Sequence, residues 1–405
     1  MAARTAKIAR IFCLFIISSR LFSLTRKENK CNFLNREPHR LTNRLKMIRL
    51  IHMNDSIERL NPRQKLILNL TSSSNGLSRE DIQKSVEPKF PASKPTIIRD
   101  LNVLSKLGLV TSVGKARAKV YKPTNGSPLL VYFDLDAYFE RDPDKRVDAK
   151  KSFDFSIFRH LKNLLNLNEI RELKNNSKSF NKQTKALDPE ILRKELERFT
   201  IELAWKSSKI EGNTYSLLET ERLIKEFEEA ENKTKKEKQM ILNHKEAFEA
   251  ILKNKLDFKN LSVSIINQLH NILVQGLDIN PGIRKQPVGI TGTAYKPLDN
   301  EFQIKEALEK TASSINAKKS PLEKALIAGP LISYIQPFVD GNKRTSRMLT
   351  NAILLAHDLY PLSYRSIDEE EYKKALILFY EQGSLFHLKR IFIDQLNFAN
   401  KTYFT

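Results

Sequence analysis

The sequence predicts a mainly α protein: a long helical region carrying one β-hairpin, preceded by a small basic α+β module. Three observations carry that expectation. Apolar residues recur at helical spacing after Pro189, as in Leu192, Leu196, Phe199, Leu203 and Ile210. Runs with β-branched residues between turn residues stand out at two places, 109–121 and 282–295. A chain of 405 residues, 40% hydrophobic and 29% charged, is long enough for two or three such domains.

Composition narrows the function. The formal net charge of +22 is unevenly spread. Residues 1–46 hold eleven Lys/Arg against two acids, and residues 61–123 hold twelve against four. A nucleic acid or an anionic surface is the natural partner of such a field. No apolar run reaches the roughly eighteen residues of a membrane span, so no membrane partner is expected. Cys13 and Cys31 both lie near the start, which leaves the rest without disulfides or cysteine metal sites and fits a cytoplasmic protein.

Residues 1–46 form a basic extension. Ile11 to Ile17 is apolar behind Arg4, Lys7 and Arg10, as in a weak secretory signal, but Arg20 stands where a small-residue cleavage site belongs. The favoured reading is upstream sequence ahead of a true start at Met47 or Met53.

Residues 61–123 read as three helices and a hairpin. Pro62 to Leu70 is the first helix, Ser78 caps the second, and Ser93 caps the third. Ile97, Leu101, Leu104 and Leu107 form a buried stripe that ends at Gly108. Residues 109–113 and 118–121 are short strands joined by a basic turn. This resembles a winged helix-turn-helix, whose third helix enters the major groove and whose wing touches the backbone. Lys94, Thr96, Arg99 and Asn102 lie off the apolar stripe, and Lys115, Arg117 and Lys119 are the wing. Duplex DNA is the expected partner; a protein-contact role is the alternative. Residues 124–187 are a connector, with an amphipathic helix from Phe153 to Leu167. A loose polar stretch, Asn168 to Lys185, holds the domain boundary.

A helix then runs over 189–211. Ser207 and Glu211 are four apart and share a face at its C-terminal end, with Gly212 following as a natural stop. A carboxylate there opposes the helix dipole, so an outside cation should compensate it. His270 sits between Leu269 and Ile272, in a packing or capping position.

Ala325 to Ile335 is an apolar helix, and from Lys343 a second one begins. Between them lies Gln336-Pro337-Phe338-Val339-Asp340-Gly341-Asn342. Helix N-termini present free N–H groups and favour anions. Lys343, Arg344 and Arg347 are therefore of the wrong sign for an empty N-terminus and suggest a bound polyphosphate. Asp340 is a hard oxygen ligand suited to Mg²⁺.

These residues resemble the signature of the Fic/Doc (Fido) family, His-Pro-Phe-x-Asp/Glu-Gly/Ala-Asn-Gly/Lys-Arg-x-x-Arg, at Pro337, Phe338, Asp340 to Arg344, and Arg347. The resemblance spans about residues 188–398, with a core near 261–396. It implies an all-helical domain that binds ATP and Mg²⁺ and moves AMP to a Ser, Thr or Tyr hydroxyl of a target protein. Gly341, Asn342, Lys343, Arg344, Thr345 and Arg347 would contact phosphate, Asp340 the metal, and Tyr372 either the base or the core. Ser207, Glu211 and Gly212 resemble the family's inhibitory motif, which would engage Arg347. Val288, Gly289, Ile290 and Thr291 lie in a segment resembling the family's β-hairpin flap, which holds the target by strand addition. A homodimer is a further expectation.

One position departs. Gln336 occupies the place of the family's catalytic histidine and does not titrate near neutral pH, so reduced or absent activity is expected. Lys343 is the residue of Doc-like phosphotransferases, which leaves phosphate as an alternative transferred group. A DNA-binding regulator with a degenerate Fido domain is the other reading.

Overall fold

The computed structural model describes residues 60–404 apart from positions 73, 75, 116, 117 and 125, and apart from the side chains of 178, 179, 181 and 183. The extension 1–46 and Arg117 lie outside the described residues.

The first elements are α1 (Pro62–Ser72), β1 (Leu77–Ser78), α2 (Arg79–Val86), α3 (Lys94–Lys106), β2 (Val110–Val113) and β3 (Val120–Pro123). The strands lie antiparallel in the order β1-β3-β2. Ser78 and Asp81 cap α2 reciprocally, each accepting from the other's backbone. Ser93 holds the cap position of α3, but its hydroxyl meets Thr96 Oγ1 at 3.0 Å instead of a backbone N–H. Ile97, Leu101 and Leu104 are buried against Ile67, Leu68, Ile82 and Val86, as their spacing predicts. Asp100 shares that face and is buried too. Arg63 Nε at 2.6 Å and Gln64 Nε2 at 2.9 Å satisfy it and tie α1 to α3.

The connector holds a short helix, α4 (Leu135–Phe139), and departs from the sequence reading beyond it. Phe153 to Leu167 is not an α-helix; it holds only a 3₁₀ turn, Phe155–Arg159. The aromatic rings decide this by packing on each other and on the helical core: Phe153 lies 5.0 Å from Phe155 and 4.5 Å from Tyr334, centroid to centroid. The stretch expected to be loose is α5 (Leu167–Ala186). Leu173, Ser177 and Phe180 give it a buried stripe despite its polarity, and Glu169 pairs with Lys389 at 2.8 Å.

The helices that follow are α6 (Pro189–Ile210), α7 (Leu217–Glu226), α8 (Lys235–Lys253), α9 (Val263–Val274), α10 (Glu301–Asn316), α11 (Pro321–Ile335), α12 (Asn342–Ala356), α13 (Glu369–Gln382) and α14 (Phe386–Thr402). The centre is the pair α11 and α12. α12 meets α6, α8 and α9 on one side, and α11 meets α10 and α13 on the other. α11 is buried around nearly its whole circumference and runs on through Pro330. The segment 285–298 contains no strand, so the hairpin expected at Val288–Thr291 is absent. A strand needs a ladder partner, and among the described residues this segment finds one parallel bridge, Ser152 to Lys296. Among the described residues no helix is long and apolar enough to cross a membrane.

Close approach of α11 and α12 requires Gly329. A Cβ there would meet Thr350 Oγ1 at 2.9 Å and Ser346 O at 3.4 Å. Thr350 Oγ1 is itself held by Ser346 O at 3.0 Å. Gly329→Ala gains about 1 kcal/mol of helix propensity but overpacks the contact by about 1–3 kcal/mol. The expected result is a lowered melting temperature by calorimetry; an unchanged or raised value would mean that the two helices separate freely.

Candidate functional site

The site is built from the turn between α11 and α12. α11 ends at Gln336, which has left-handed backbone angles, φ 50° and ψ 59°. That conformation is unfavourable for a residue with a Cβ, by roughly 1–2 kcal/mol, and three hydrogen bonds hold it. Its N–H donates to Ile332 O at 3.0 Å, its side-chain Nε2 to Ser333 O at 2.7 Å, and its own carbonyl accepts from Arg284 Nε at 2.7 Å. Phe338 is fully buried and stacks on His270, with centroids 3.6 Å apart and planes 9° from parallel. The Asn342 side chain closes the turn by accepting from Phe338 N at 2.9 Å and donating to Phe338 O at 2.8 Å. Gly341 has φ 78°, and a Cβ would come within 2.9 Å of Val274 Cγ1.

His270 is packed, as its neighbours in the sequence suggest. Its Nε2 faces Asp340 O at 2.9 Å, which fixes the proton on that nitrogen. Burial pushes its pKa down to about 4.

The cations follow in the first turns of α12. Arg344 is 2% exposed; it donates to Leu273 O at 3.0 Å and pairs with Asp340 Oδ2 at 3.2 Å. Arg347 is 1% exposed and reaches back to α6. Its Nε donates to Ser207 Oγ and its Nη2 to Ser207 O, both at 2.9 Å. Its Nη2 also pairs with Glu211 Oε1 at 2.8 Å, and Lys343 lies 3.9 Å from the other carboxylate oxygen. Burial works to raise the Glu211 carboxyl, but Arg347, then Lys343 and Arg344, outweigh it and hold it below the usual carboxylate range. Glu211 caps α6, and Gly212 follows with φ 96°.

His244, on α8, completes this contact and is not singled out by sequence. Its Nδ1 donates to Met240 O at 2.7 Å, so its Nε2 accepts from the Ser207 hydroxyl at 2.8 Å. That leaves the Ser207 oxygen lone pairs facing Arg347. Burial, aided by the charges of Arg344 and Arg347, lowers the His244 pKa to about 3. The sequence signal for His244 is slight: one polar residue on the inner face of an amphipathic helix.

The expected residues are not all brought to one surface. Thr345, expected at phosphate, is fully buried behind the first turn of α12; Tyr372, expected at the base, is 7% exposed, beside Tyr364 and against Arg347. Val288 to Thr291 are partly or fully exposed. Lys94, Arg99, Lys115 and Lys119 are exposed on the N-terminal module, and Thr96 is half-buried.

The residues present fit an anionic nucleotide. Arg347 Nη1 is buried without a hydrogen-bond partner, and Lys343 and Arg344 stand beside it on the same N-terminal turn. Among the described residues no group of three or more His, Cys, Asp or Glu could hold a metal ion alone. The exposed carboxylate of Asp340 suits Mg²⁺, which is bound by one or two carboxylates with substrate phosphates completing its shell.

Three buried histidines, His244, His270 and His387, have pKa values lowered by burial to about 3, 4 and 4. In the unfolded chain they bind protons near pH 6.5; in the folded chain they do not. Stability is therefore undiminished above pH 6.5 and falls as pH drops from 6.5 toward 4, by up to about 1.4 kcal/mol per pH unit for each histidine. Urea midpoints followed by fluorescence of the single tryptophan, Trp205, should fall steadily from pH 7 to pH 5. A flat midpoint would mean that these rings are solvated.

The Fic/DOC family model matches residues 260–354. "Protein adenylyltransferase Fic" of Culex quinquefasciatus is 28% identical over 195 residues, 46% of this chain and 38% of that protein. A probable protein adenylyltransferase of Aquifex aeolicus is 28% identical over 118 residues, 29% of this chain and 36% of that protein. The chain thus aligns with well under half the length of these relatives. Among solved structures, Fic-1 from C. elegans superposes with a TM-score of 0.51 at 22% identity, over 58% of this chain and 70% of that one, a likeness of fold. The matched segment runs from before α9 into α12 and contains the whole turn described above, and on that ground this chain carries a domain of the Fic/DOC family.

Proposed function

We propose that this chain binds ATP with Mg²⁺ at the N-terminus of α12 and is a self-restrained protein of the adenylyltransferase type. The observation that carries the reading is the ion pair of the buried Arg347 with the half-buried Glu211 at 2.8 Å, beside an Arg347 Nη1 that has no hydrogen-bond partner. Arg344 and Arg347 neutralise phosphate charge, and Asp340 offers its oxygen to the metal. Bound ATP-Mg²⁺ supplies the transferable group. Gln336 commits its Nε2 to Ser333 O, so its amide oxygen is the end left to accept a target hydroxyl. It orients that hydroxyl but takes no proton. Loss of a general base lowers rates by about 10²–10⁴. Glu211 lowers them further by holding the guanidinium that an anion needs.

Wild-type protein incubated with ATP-Mg²⁺ is therefore expected to show little self-modification by mass spectrometry, and Gln336→His alone should change little. The pair Gln336→His with Glu211→Gly should restore it by about 10²–10⁴. The adduct mass tells adenylyl from phosphoryl transfer, the alternative that Lys343 raises. No adduct on the pair, or a strongly modified wild type, would each overturn the reading.

A second function, duplex DNA contact, is supported by the N-terminal module. Its helix, strand, two helices and hairpin follow the winged-helix order, with Lys94, Arg99 and Asn102 exposed on α3 and Lys115 and Lys119 exposed around the hairpin turn. Replacing Lys115, Arg117 and Lys119 by Ala should weaken duplex binding and flatten its salt dependence, by about 0.9 in logarithmic slope for each phosphate no longer neutralised. Absence of retention on any duplex at low salt would make the module a protein-contact domain.

A further inference from the structure

Arg284 is among the largest fully buried side chains, at 2% exposure, yet its guanidinium donates to backbone carbonyls. Nε meets Gln336 O at 2.7 Å, Nη1 meets Gln286 O at 2.7 Å, and Nη2 meets Leu298 O. Its own N–H donates to Pro337 O at 3.0 Å. Gln286 and Leu298 are the two ends of the segment that carries Val288 to Thr291. One side chain thus closes the base of that segment and holds the carbonyl of the residue in the family's catalytic position.

The rest of the segment is anchored on one side. Gly292 O accepts from Arg146 at 3.0 Å, Thr293 Oγ1 donates to the buried Glu381 at 2.5 Å, Tyr295 OH donates to Tyr334 O at 2.7 Å, and Lys296 N donates to Lys151 O at 2.9 Å. These ties all lie C-terminal to Thr291. On the N-terminal side the hydrogen-bond tie is the Arg284 fork at Gln286, while Ile290 packs against the core. A planar guanidinium can serve three divergent carbonyls at once; a lysine ammonium, on a flexible stem, cannot match that fork. The same fork helps hold Gln336 in its left-handed conformation, which persists only where surroundings over-determine it.

We infer that Arg284 is a positioning residue that fixes the distance between the target-holding segment 286–298 and position 336. It acts on the Gln336 backbone, so it works whichever side chain stands there. The inference rests on the reading of 286–298 as the segment that receives the target.

The test uses Arg284→Lys, which keeps the charge without the fork, and Arg284→Met, each in the full chain. Amide exchange is read at residue 284 and at Gln336, whose N–H groups donate to Pro337 O and Ile332 O. Both should accelerate together, by about tenfold or more, through local opening, while α12 amides and calorimetric ATP affinity stay within about threefold. In the Gln336→His, Glu211→Gly background, the self-modification rate at saturating ATP should fall by about 10²-fold, the scale of a misplaced reacting group, with the KM for ATP little changed. Unchanged exchange at both amides would overturn the inference, as would acceleration spread evenly through α12, which marks general destabilisation. An equal loss of ATP affinity would overturn it too. If the parent background shows no modification, the functional reading fails and the exchange result still decides the role of Arg284.

Discussion

The burial of Arg347 constrains the domain more than any other single feature. A guanidinium at 1% exposure loses nearly all its hydration, and the loss is several kcal/mol unless charge and hydrogen bonds are supplied inside. Glu211 and both acceptors of Ser207 supply them. The dependence runs the other way as well. Glu211 sits at the C-terminal end of α6, where the helix dipole disfavours a carboxylate by about 0.3–1 kcal/mol. Without the cations of α12 that carboxylate would prefer water. The pair therefore fixes where α6 ends against α12. His244 adds direction: as a neutral ring its Nε2 accepts the Ser207 O–H hydrogen bond and turns the oxygen lone pairs toward Arg347.

The two signature arginines are not equivalent. Arg344 is anchored to Asp340 in its own turn and to Leu273 O at the end of α9. Arg347 is anchored across the domain, to α6. Under the proposed reading, only Arg347 is contested by an incoming anion. The restraint that Glu211 imposes is then bounded by its preference for Arg347 over the anion's, since a ligand shifts an equilibrium only by its differential free energy. A preference of about 1.4 kcal/mol is one factor of ten in nucleotide affinity.

What is legible in the sequence is legible for local reasons. Gly341, Asn342 and Phe338 serve a turn whose geometry is written in consecutive residues. Ser207 and Glu211 share a face because four residues make about one helical turn. The failures are tertiary. α5 reads as loose because Lys and Asn dominate it, but Leu173 and Phe180 suffice once α14 is there to receive them. The segment at Val288 reads as a strand because its composition is right, but composition does not supply a ladder partner. Arg284 is unreadable because its three acceptors are carbonyls scattered from Gln286 to Gln336, and carbonyls carry no residue identity.

Gln336 can be judged by what the fold asks of its position. The Arg284 contact and the N–H bond to Ile332 concern the backbone and do not depend on which side chain stands at 336. The side chain itself is tethered through Nε2 to Ser333 O, so the amide oxygen is its free end. A neutral imidazole in the same place would offer a nitrogen lone pair. Both groups accept a hydrogen bond, and both can therefore align a hydroxyl. For proton transfer the difference is basicity: the imidazole can keep the proton near neutral pH and the amide cannot. The substitution thus separates positioning from proton transfer. Under the proposed reading, phosphoryl-type transfers depend heavily on positioning and charge neutralisation, so a site with Asp340, Arg344 and Arg347 would keep the larger share of what such chemistry needs from the protein.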